Sequence, residues 1–212
     1  SNYLRAVADP YYQSVMLTTL WVAFFCTLLA AIIALPTAYW LARLESRWKS
    51  FFTVLTLFPL LIGGVIRSAG WMALLGSDGL INWMLQLFGI TDGNIQMMYT
   101  TGAVICGIVG VVLPYMVLTI AAVIEGIDRN TEEAAANLGA RPFTVFRRVV
   151  LPQAIPGLVA GCTLVFILCM NAYSTPVLLG GPQFRMMAPA VYDQFIRASN
   201  WPFGAALAFI LL

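Results

Sequence analysis

Residues that commonly carry out chemistry in proteins are scarce in this chain. It has no histidine, which excludes Ser-His-Asp and Cys-His catalysis and removes the commonest metal ligand. Its four cysteines lie inside apolar runs without CxxC spacing, so we interpret them as small buried hydrophobic residues. Lys49 follows Trp48, so the chain lacks the Gly-Lys-Ser/Thr sequence of a phosphate-binding loop. We therefore predict no catalytic, metal-binding or cofactor-binding residues in this chain.

Charged residues concentrate between positions 125 and 150, in a stretch that also carries helix signals. Asn130 predicts a helix N-cap, and Glu133 three residues later can complete a capping box. The alanine run that follows favours helix, and Gly139 can end that helix in the left-handed conformation. Pro142 suits the first turn of a second helix. The pattern predicts a polar helix-turn-helix, which is larger than an ordinary connector.

The elements that position this segment are apolar. Hydrophobic residues make up 61% of the chain and charged residues 9%, with a mean hydropathy of +0.88. A soluble domain carries about 25% charged residues, so lipid must cover much of this surface. The apolar runs are continuous, whereas the strands of membrane barrels alternate, and helices satisfy their own backbone groups in lipid. We predict an all-α integral membrane protein, a single transmembrane domain over 1–212, with spans at about 15–42, 51–75, 100–124, 151–173 and, incomplete, 203–212.

The ends and loops of these spans lead to three further expectations. The run 203–212 has ten residues where a spanning helix needs about 20, so we expect the chain to be a fragment with a fifth helix cut short. Pro152 is expected to mark the point where the chain leaves the polar segment and re-enters the membrane. Within the mixed loop 76–98, Leu80–Phe88 is predicted to be a short helix lying at the interface.

The distribution of lysine and arginine predicts the orientation of the chain. The segments 43–50 and 125–150 hold seven of these residues, whereas 1–14 and 174–202 hold three. We therefore predict that 43–50 and 125–150 are cytoplasmic. The N-terminal segment, 174–202 and the loop 76–98 are predicted to face the outer side.

The residues from 133 to 152 resemble the EAA loop found in permease subunits of ABC importers. That pattern is Glu-Ala-Ala, three residues, Gly, nine residues, an aliphatic residue, one residue, then Leu-Pro. This chain matches it at Glu133, Ala134, Ala135, Gly139, Val149, Leu151 and Pro152. The one departure is valine at position 149, where isoleucine is commonest.

The resemblance implies a type I ABC importer transmembrane domain of the MetI-like class, in which 125–150 is the coupling loop that docks on a separate ATPase subunit. The small alanines and Gly139 would permit close approach, and Glu133 and Arg141 would supply charge contacts or caps. The residues assigned to ATPase coupling are Glu133, Ala134, Ala135, Gly139, Arg141, Leu151 and Pro152. The alternative interpretation is an ordinary solvated helical hairpin.

Softer matches extend the resemblance over nearly the whole chain. Asn2–Arg5 with Asp9 and Pro10, Leu179–Pro182 and Asn200–Gly204 are similar to the spermidine/putrescine permease subgroup. That subgroup implies a six-helix subunit of the bacterial inner membrane that carries polyamines. It also implies a homologous second permease subunit, two ATPase subunits that bind ATP and Mg, and a soluble substrate-binding protein. A net charge of +2 gives no reason to expect nucleic acid as a partner.

Two alternatives to polyamine import stay open at this point. The same importer class carries other small solutes, including phosphonates, amino-acid-like compounds and ferric iron. An ion-coupled secondary transporter is the other class, but such proteins place carboxylates within their helices. No Asp or Glu lies in the interior of the four complete predicted spans, which argues against it.

A few polar or amphipathic side chains inside the spans are candidates for the substrate pathway. Arg67 is the one charge well inside a span, where an unpaired charge costs at least about 2.5–3.5 kcal/mol. It either faces the path or a partner, or it snorkels to the interface. For the aromatic and amide side chains, helix packing or an interfacial belt is the alternative. These further candidates are Trp71, Tyr115, Asn171 and Tyr173.

Overall fold

The computed structural model describes residues 2–44, 46–89, 93, 95–181 and 184–211. Within those ranges all regular elements are helices. They are α1 (Asn2–Ala8), α2 (Pro10–Arg43), α3 (Ser46–Leu61), α4 (Gly64–Leu75), α5 (Leu80–Leu87), α6 (Thr101–Glu125), α7 (Arg129–Asn137), α8 (Pro142–Val145), a π-helical turn (Phe146–Val150), α9 (Leu151–Met170), α10 (Ser174–Leu179), α11 (Met187–Ile196) and α12 (Trp201–Leu211).

Three continuous helices are long and apolar enough to cross a membrane: Pro10–Arg43, Thr101–Glu125 and Pro142–Met170. They have 34, 25 and 29 residues, and about 20 residues are enough to cross the hydrocarbon layer at 1.5 Å each. They overlap the spans predicted at 15–42, 100–124 and 151–173. The short apolar helix α12 has 11 residues, which is too short to span.

The run predicted as one span at 51–75 is divided into two helices. Helix α3 ends at Leu61 and α4 begins at Gly64, and together they would count as a fourth, broken span. Gly63 between them has an extended backbone, with φ −55° and ψ 144°. Pro59 inside α3 cannot donate a helical hydrogen bond, and the adjacent glycines favour the break.

By its contacts the chain falls into two compact units, each built from several stretches of sequence. Unit 1 comprises Ser1–Cys26, Ile62–Val111 and Phe166–Leu212, and unit 2 comprises Thr27–Leu61 and Val112–Val165. The single transmembrane domain expected over 1–212 stays a prediction.

A hydrophobic cluster joins α1, α2, α11 and α12 within unit 1. It consists of Ala6, Val15, Met187, Ala190, Phe203 and Leu207. The hydroxyl of buried Thr19 accepts a hydrogen bond from the backbone N–H of Met187 at 2.9 Å and donates to the carbonyl of Val15 at 2.8 Å. The first turn of α11 is therefore anchored to α2, so the loop before it has a defined end.

The core of unit 2 is a face of α6 packed with α9. Met116, Ile120 and Ile124 recur every four residues and are almost wholly buried. A Cβ atom added at Gly157 would lie 2.7 Å from a methyl group of Val123, so the two backbones approach closely at that point. This packing places the ends of α6 and α9 beside the polar segment that joins them.

Candidate functional site

The segment between α6 and α9 forms a polar hairpin (residues 128–150), and its first helix is capped by Asp128. The Asp128 carboxylate accepts a hydrogen bond from the backbone N–H of Asn130 at 3.0 Å. The sequence-based choice of Asn130 as the N-cap was therefore wrong. Helix α6 ends at Glu125 and is followed by a turn at Gly126–Ile127, so Asp128 is the last extended residue before α7. The capping box expected between Asn130 and Glu133 is accordingly not formed.

The turn of the hairpin is built as predicted. Gly139 has a positive φ of 85°, the left-handed conformation that glycine adopts without strain. The Gly139 N–H donates to the carbonyl of Ala136 at 2.9 Å. The Ala140 N–H donates to the carbonyl of Ala135 at 3.1 Å. These two bonds form a Schellman motif, which satisfies carbonyls at the end of α7. The expected left-handed turn at Gly139 is confirmed.

The second arm of the hairpin begins at Pro142 but does not end before the next span. Arg141 is extended, with φ −69° and ψ 152°, and Pro142 occupies the first helical turn, both as predicted. The helix then continues from Pro142 to Met170 through the π turn, so Pro152 lies inside a continuous helix and the membrane re-entry expected there stays a prediction. A proline inside a helix clashes with the carbonyl four residues before it, and the widened π turn just upstream relieves that clash.

The two adjacent glutamates of α7 have different surroundings. Glu132 forms an ion pair with Arg43, and its second carboxylate oxygen accepts from the Tyr39 hydroxyl at 2.9 Å. The side chains of Arg43 and Glu132 are only 16% and 14% exposed. Glu133 is exposed, because consecutive residues on a helix point about 100° apart. Only Glu133 is thus presented outward, as required of a residue that contacts another subunit.

Two large apolar side chains protrude near the tip of the hairpin. Leu138 is 89% exposed and Phe143 is 73% exposed. Exposed residues of the predicted motif lie in the same hairpin, and apolar residues accompanied by charged ones are typical of a protein interface. We call this set the exposed hairpin face: Glu133, Ala134, Leu138, Gly139, Arg141 and Phe143. Sequence analysis did not single out Leu138 or Phe143 as contact residues, because an apolar residue is predicted to lie in the core until its exposure is known.

The remaining residues assigned to coupling lie apart from this face. Ala135 is partly buried on the inner side of α7. Leu151 is partly buried and Pro152 is exposed, both in the first turn of α9. The structure therefore brings Glu133, Ala134, Gly139 and Arg141 to the tip, whereas Leu151 and Pro152 lie where the second arm continues into the span.

Arg67 and Trp71, the first two pathway candidates, lie on α4 in unit 1. Arg67 donates through Nη2 to the carbonyl of Ile62 at 3.1 Å, which lies in the break between α3 and α4. Its Nε and Nη1 atoms are buried and bond to no other residue that the structure describes. Trp71 packs against Gly107 and Gly110 of α6, where an added Cβ would meet its ring. Both residues thus stabilise local structure, and their role in a path stays a prediction.

The other three candidates are divided between the units. Asn171 is exposed and donates to the carbonyl of Ile167 at 2.9 Å, which helps to cap α9. Tyr173 is 38% exposed, and its ring centre lies 4.8 Å from that of Tyr192. Tyr115, in unit 2, is 37% exposed on α6. None of the three is fully buried, so each is available to a ligand or a partner.

A cavity of about 610 Å³ in unit 1 includes Tyr173 in its wall. Tyr11 and Tyr99 also line it, together with Arg185 and Asp193. The guanidinium of Arg185 donates to the Tyr11 hydroxyl and lies 5.3 Å from the centre of its ring. That hydroxyl raises the pKa of Arg185, so its charge is constant across the physiological range. In the ranges that the structure describes, no three His, Cys, Asp or Glu side chains lie close enough to hold a metal ion.

Long apolar helices that flank a polar hairpin define an integral membrane protein. Residues 27–212 match the family described as binding-protein-dependent transport system inner membrane component, and the chain belongs to this family. It is thus a multi-pass permease component of a bacterial inner-membrane ABC importer, and its role in that family is transport rather than catalysis. The family predicted from the EAA loop is confirmed.

Curated relatives support this assignment over nearly the full chain. The chain is 35% identical over 210 residues to the spermidine/putrescine transport system permease protein PotB of Salmonella typhimurium, covering 99% of this chain and 73% of the relative. It is 32% identical to the inner membrane ABC transporter permease protein YdcU of Escherichia coli, covering 98% and 70%. It is 28% identical to the molybdenum transport system permease protein ModB of Mycobacterium bovis, covering 100% and 78%.

Solved structures show the same fold. A bacterial ABC transporter that imports the acidic polysaccharide alginate aligns with a TM-score of 0.77 at 15% identity, covering 99% of this chain and 76% of that one. An amino acid ABC transporter with histidines aligns with a TM-score of 0.57 at 17% identity, covering 99% and 95%. The predicted all-α, MetI-like fold class is therefore confirmed.

Proposed function

We propose that this chain forms one half of the translocation path of an ATP-driven polyamine importer, with spermidine or putrescine as solute. Relatives named as spermidine/putrescine permeases are 33–35% identical to it over 98–99% of its length. The molybdenum relative is less similar, at 28%. The similarity to the polyamine permeases is the observation that carries the choice of solute.

The exposed hairpin face supports a docking role toward a separate ATPase subunit. Leu138 and Phe143 offer an apolar centre, which a cleft on the ATPase would remove from water. Ala134 and Gly139 lack bulk, so the partner backbone can come close there. Glu133 and Arg141 supply opposite charges at the rim, which favours a single docking register. ATP and Mg would bind to the ATPase, and two such subunits would serve this chain and a homologous second permease.

Alternating access would follow from displacement of the hairpin. Both of its ends continue into membrane helices, since α6 leads into it and its second arm becomes α9 without interruption. Closure of the ATPase pair on ATP would move the exposed hairpin face and tilt α6 and α9 with it. A binding protein would deliver the solute at 174–202 and 76–98, the segments predicted to face outward.

The chemistry of a polyamine requires aromatic faces or carboxylates along its path. Tyr115 and Tyr173 are the exposed aromatic candidates in this chain, and Asn171 adds an amide. Acidic side chains are missing from the interiors of the predicted spans, so the counter-charge would come from the second permease subunit or the binding protein. Arg67 would then hold the helix break rather than contact the cation.

The test is uptake by the complete importer in proteoliposomes, with the cognate binding protein supplied outside. Labelled spermidine and putrescine should accumulate with ATP, whereas molybdate should not. Gly139→Asp places a new charge on the exposed hairpin face and should abolish uptake while the chain stays in the membrane. Accumulation of molybdate alone would overturn the choice of solute, and full uptake by the Gly139→Asp importer would overturn the docking role.

A further inference from the structure

The last turn of α2 is fastened to the polar hairpin by a set of buried polar contacts. Arg43, the final residue of α2, pairs with Glu132 and also donates to the carbonyl of Ile127 at 3.3 Å. One turn earlier, Tyr39 donates to the other oxygen of Glu132 at 2.9 Å. All of these residues belong to unit 2. The Glu132 carboxylate therefore joins two successive turns of α2 to the first arm of the hairpin.

The second arm of the hairpin is held by the same turn of α2. The ring of Tyr39 meets that of Phe146 edge to face, with centres 5.1 Å apart. In the opposite direction, Arg129 donates to the carbonyl of Arg43 at 3.0 Å, satisfying a group that the end of α2 leaves open. Tyr39 thus contacts both arms, one through its hydroxyl and the other through its ring.

These contacts resist separation more than an ordinary surface pair would. Arg43 and Glu132 are partly buried, so removing one partner leaves the other charge with little solvent to compensate it, which is unfavourable. The pair between Lys49 and Glu125, which also joins two helices of unit 2, is more exposed, at 34% and 40%, and surface pairs contribute little. The contacts among Tyr39, Arg43 and Glu132 can therefore transmit displacement of the hairpin. The pair of Lys49 and Glu125 offers a matched comparison.

We propose that Tyr39, Arg43 and Glu132 form a link, the α2 link, that carries displacement of the hairpin into α2. This inference rests on the proposed docking of an ATPase on the exposed hairpin face. Helix α2 is not next to the hairpin in sequence, so these contacts give its last turn a direct connection to the hairpin. The three residues are positioning residues, because they act through the hairpin and touch neither nucleotide nor solute.

The experiment compares the complete importer in proteoliposomes with Glu132→Gln and Tyr39→Phe variants, alone and together. The readouts are solute transported per ATP hydrolysed and the stimulation of ATP hydrolysis by the binding protein. Glu132→Gln should lower the transport ratio about tenfold, within the range of mutations along a coupling network, while unstimulated hydrolysis stays near that of the unaltered complex. Lys49→Gln, which removes the cation of the exposed pair and lies outside the coupling loop, should leave both readouts unchanged.

Since Tyr39 and Glu132 share one contact, the double variant should lose less than the product of the two single effects. The α2 link is overturned if Glu132→Gln transports as many molecules per ATP as the unaltered complex. It is also overturned if transport and hydrolysis fall together in proportion to the amount of assembled complex. If the unaltered chain binds no ATPase subunit, the proposed function itself fails, which the assembly measurement identifies separately.

Discussion

Replacement of Gly139 by alanine tests the hairpin turn with the smallest possible change. No atom lies within 4 Å of the position that an added Cβ would take, so the methyl group meets no steric obstacle. The whole effect must then come from the backbone, which has a φ of 85° at this residue. An L-residue in the left-handed region costs about 1–2 kcal/mol relative to its preferred conformation.

That cost lowers affinity because the free Gly139→Ala hairpin can relax out of the left-handed turn and must return to it to dock. A strain of 1–2 kcal/mol corresponds to about a 5- to 30-fold increase in the Kd for the ATPase subunit. Gly139→Asn should give a smaller increase, because asparagine enters the left-handed region more readily than alanine. The order expected for Kd is therefore glycine, asparagine and then alanine.

The assay is equilibrium binding of the purified ATPase subunit to the permease pair in nanodiscs. Gly89 offers a matched control, since it has a φ of 66°, nothing within 4 Å of an added Cβ, and a position in the loop predicted to face outward. Gly89→Ala should cost the same backbone strain without changing the Kd. Equal affinity for the Gly139→Ala and unaltered permeases would refute the claim that the docked hairpin uses this left-handed turn, as would an equal loss in Gly89→Ala.

Three further outcomes are expected. Phe143→Ser should weaken ATPase binding by about tenfold without lowering the melting temperature of the isolated permease, because the ring is 73% exposed and contributes to no core. Gly157→Ala should lower thermal stability in detergent by about 1–3 kcal/mol, because its Cβ would lie 2.7 Å from the branched side chain of Val123. An unchanged melting temperature would contradict the close packing of α6 against α9. A cysteine at position 144 should react with an impermeant reagent from the cytoplasmic side and one at position 183, outside the described residues, from the outer side; the reverse labelling would overturn the topology.

Local signals predicted the turn of the hairpin well. Gly139, Arg141 and Pro142 act through their own backbone preferences, which neighbouring elements do not alter. The left-handed glycine, the extended arginine and the proline at the start of a helix all occur as expected. The N-cap was misplaced by two residues, because Asp128 and Asn130 are both good capping residues and the end of α6 decides between them.

Local sequence signals do not predict contacts between distant parts of the chain. Nothing near Arg43 indicates that its partner lies 89 residues later, and Tyr39 looks like any aromatic residue at the end of a span. The break between α3 and α4 differs from these contacts, because the adjacent Gly63 and Gly64 indicate a broken or closely packed helix although hydropathy alone predicts one span. The exposure of Leu138 and Phe143 was also unpredictable, because it depends on how the hairpin packs.

Under the proposed coupling, the adjacent residues Glu132 and Glu133 would let one short helix both contact an ATPase subunit and transmit its movement to α2. A motif written as Glu-Ala-Ala draws attention to Glu133, which is the outward residue and can meet a partner. The preceding Glu132 points inward, where Arg43 and Tyr39 at the end of α2 contact its carboxylate. Because the two carboxylates lie on one rigid helix, force applied at Glu133 must be felt at Glu132. Under the proposed docking, a contact on the outer face of α7 would therefore act on α2 as well as on the two helices that continue from the hairpin.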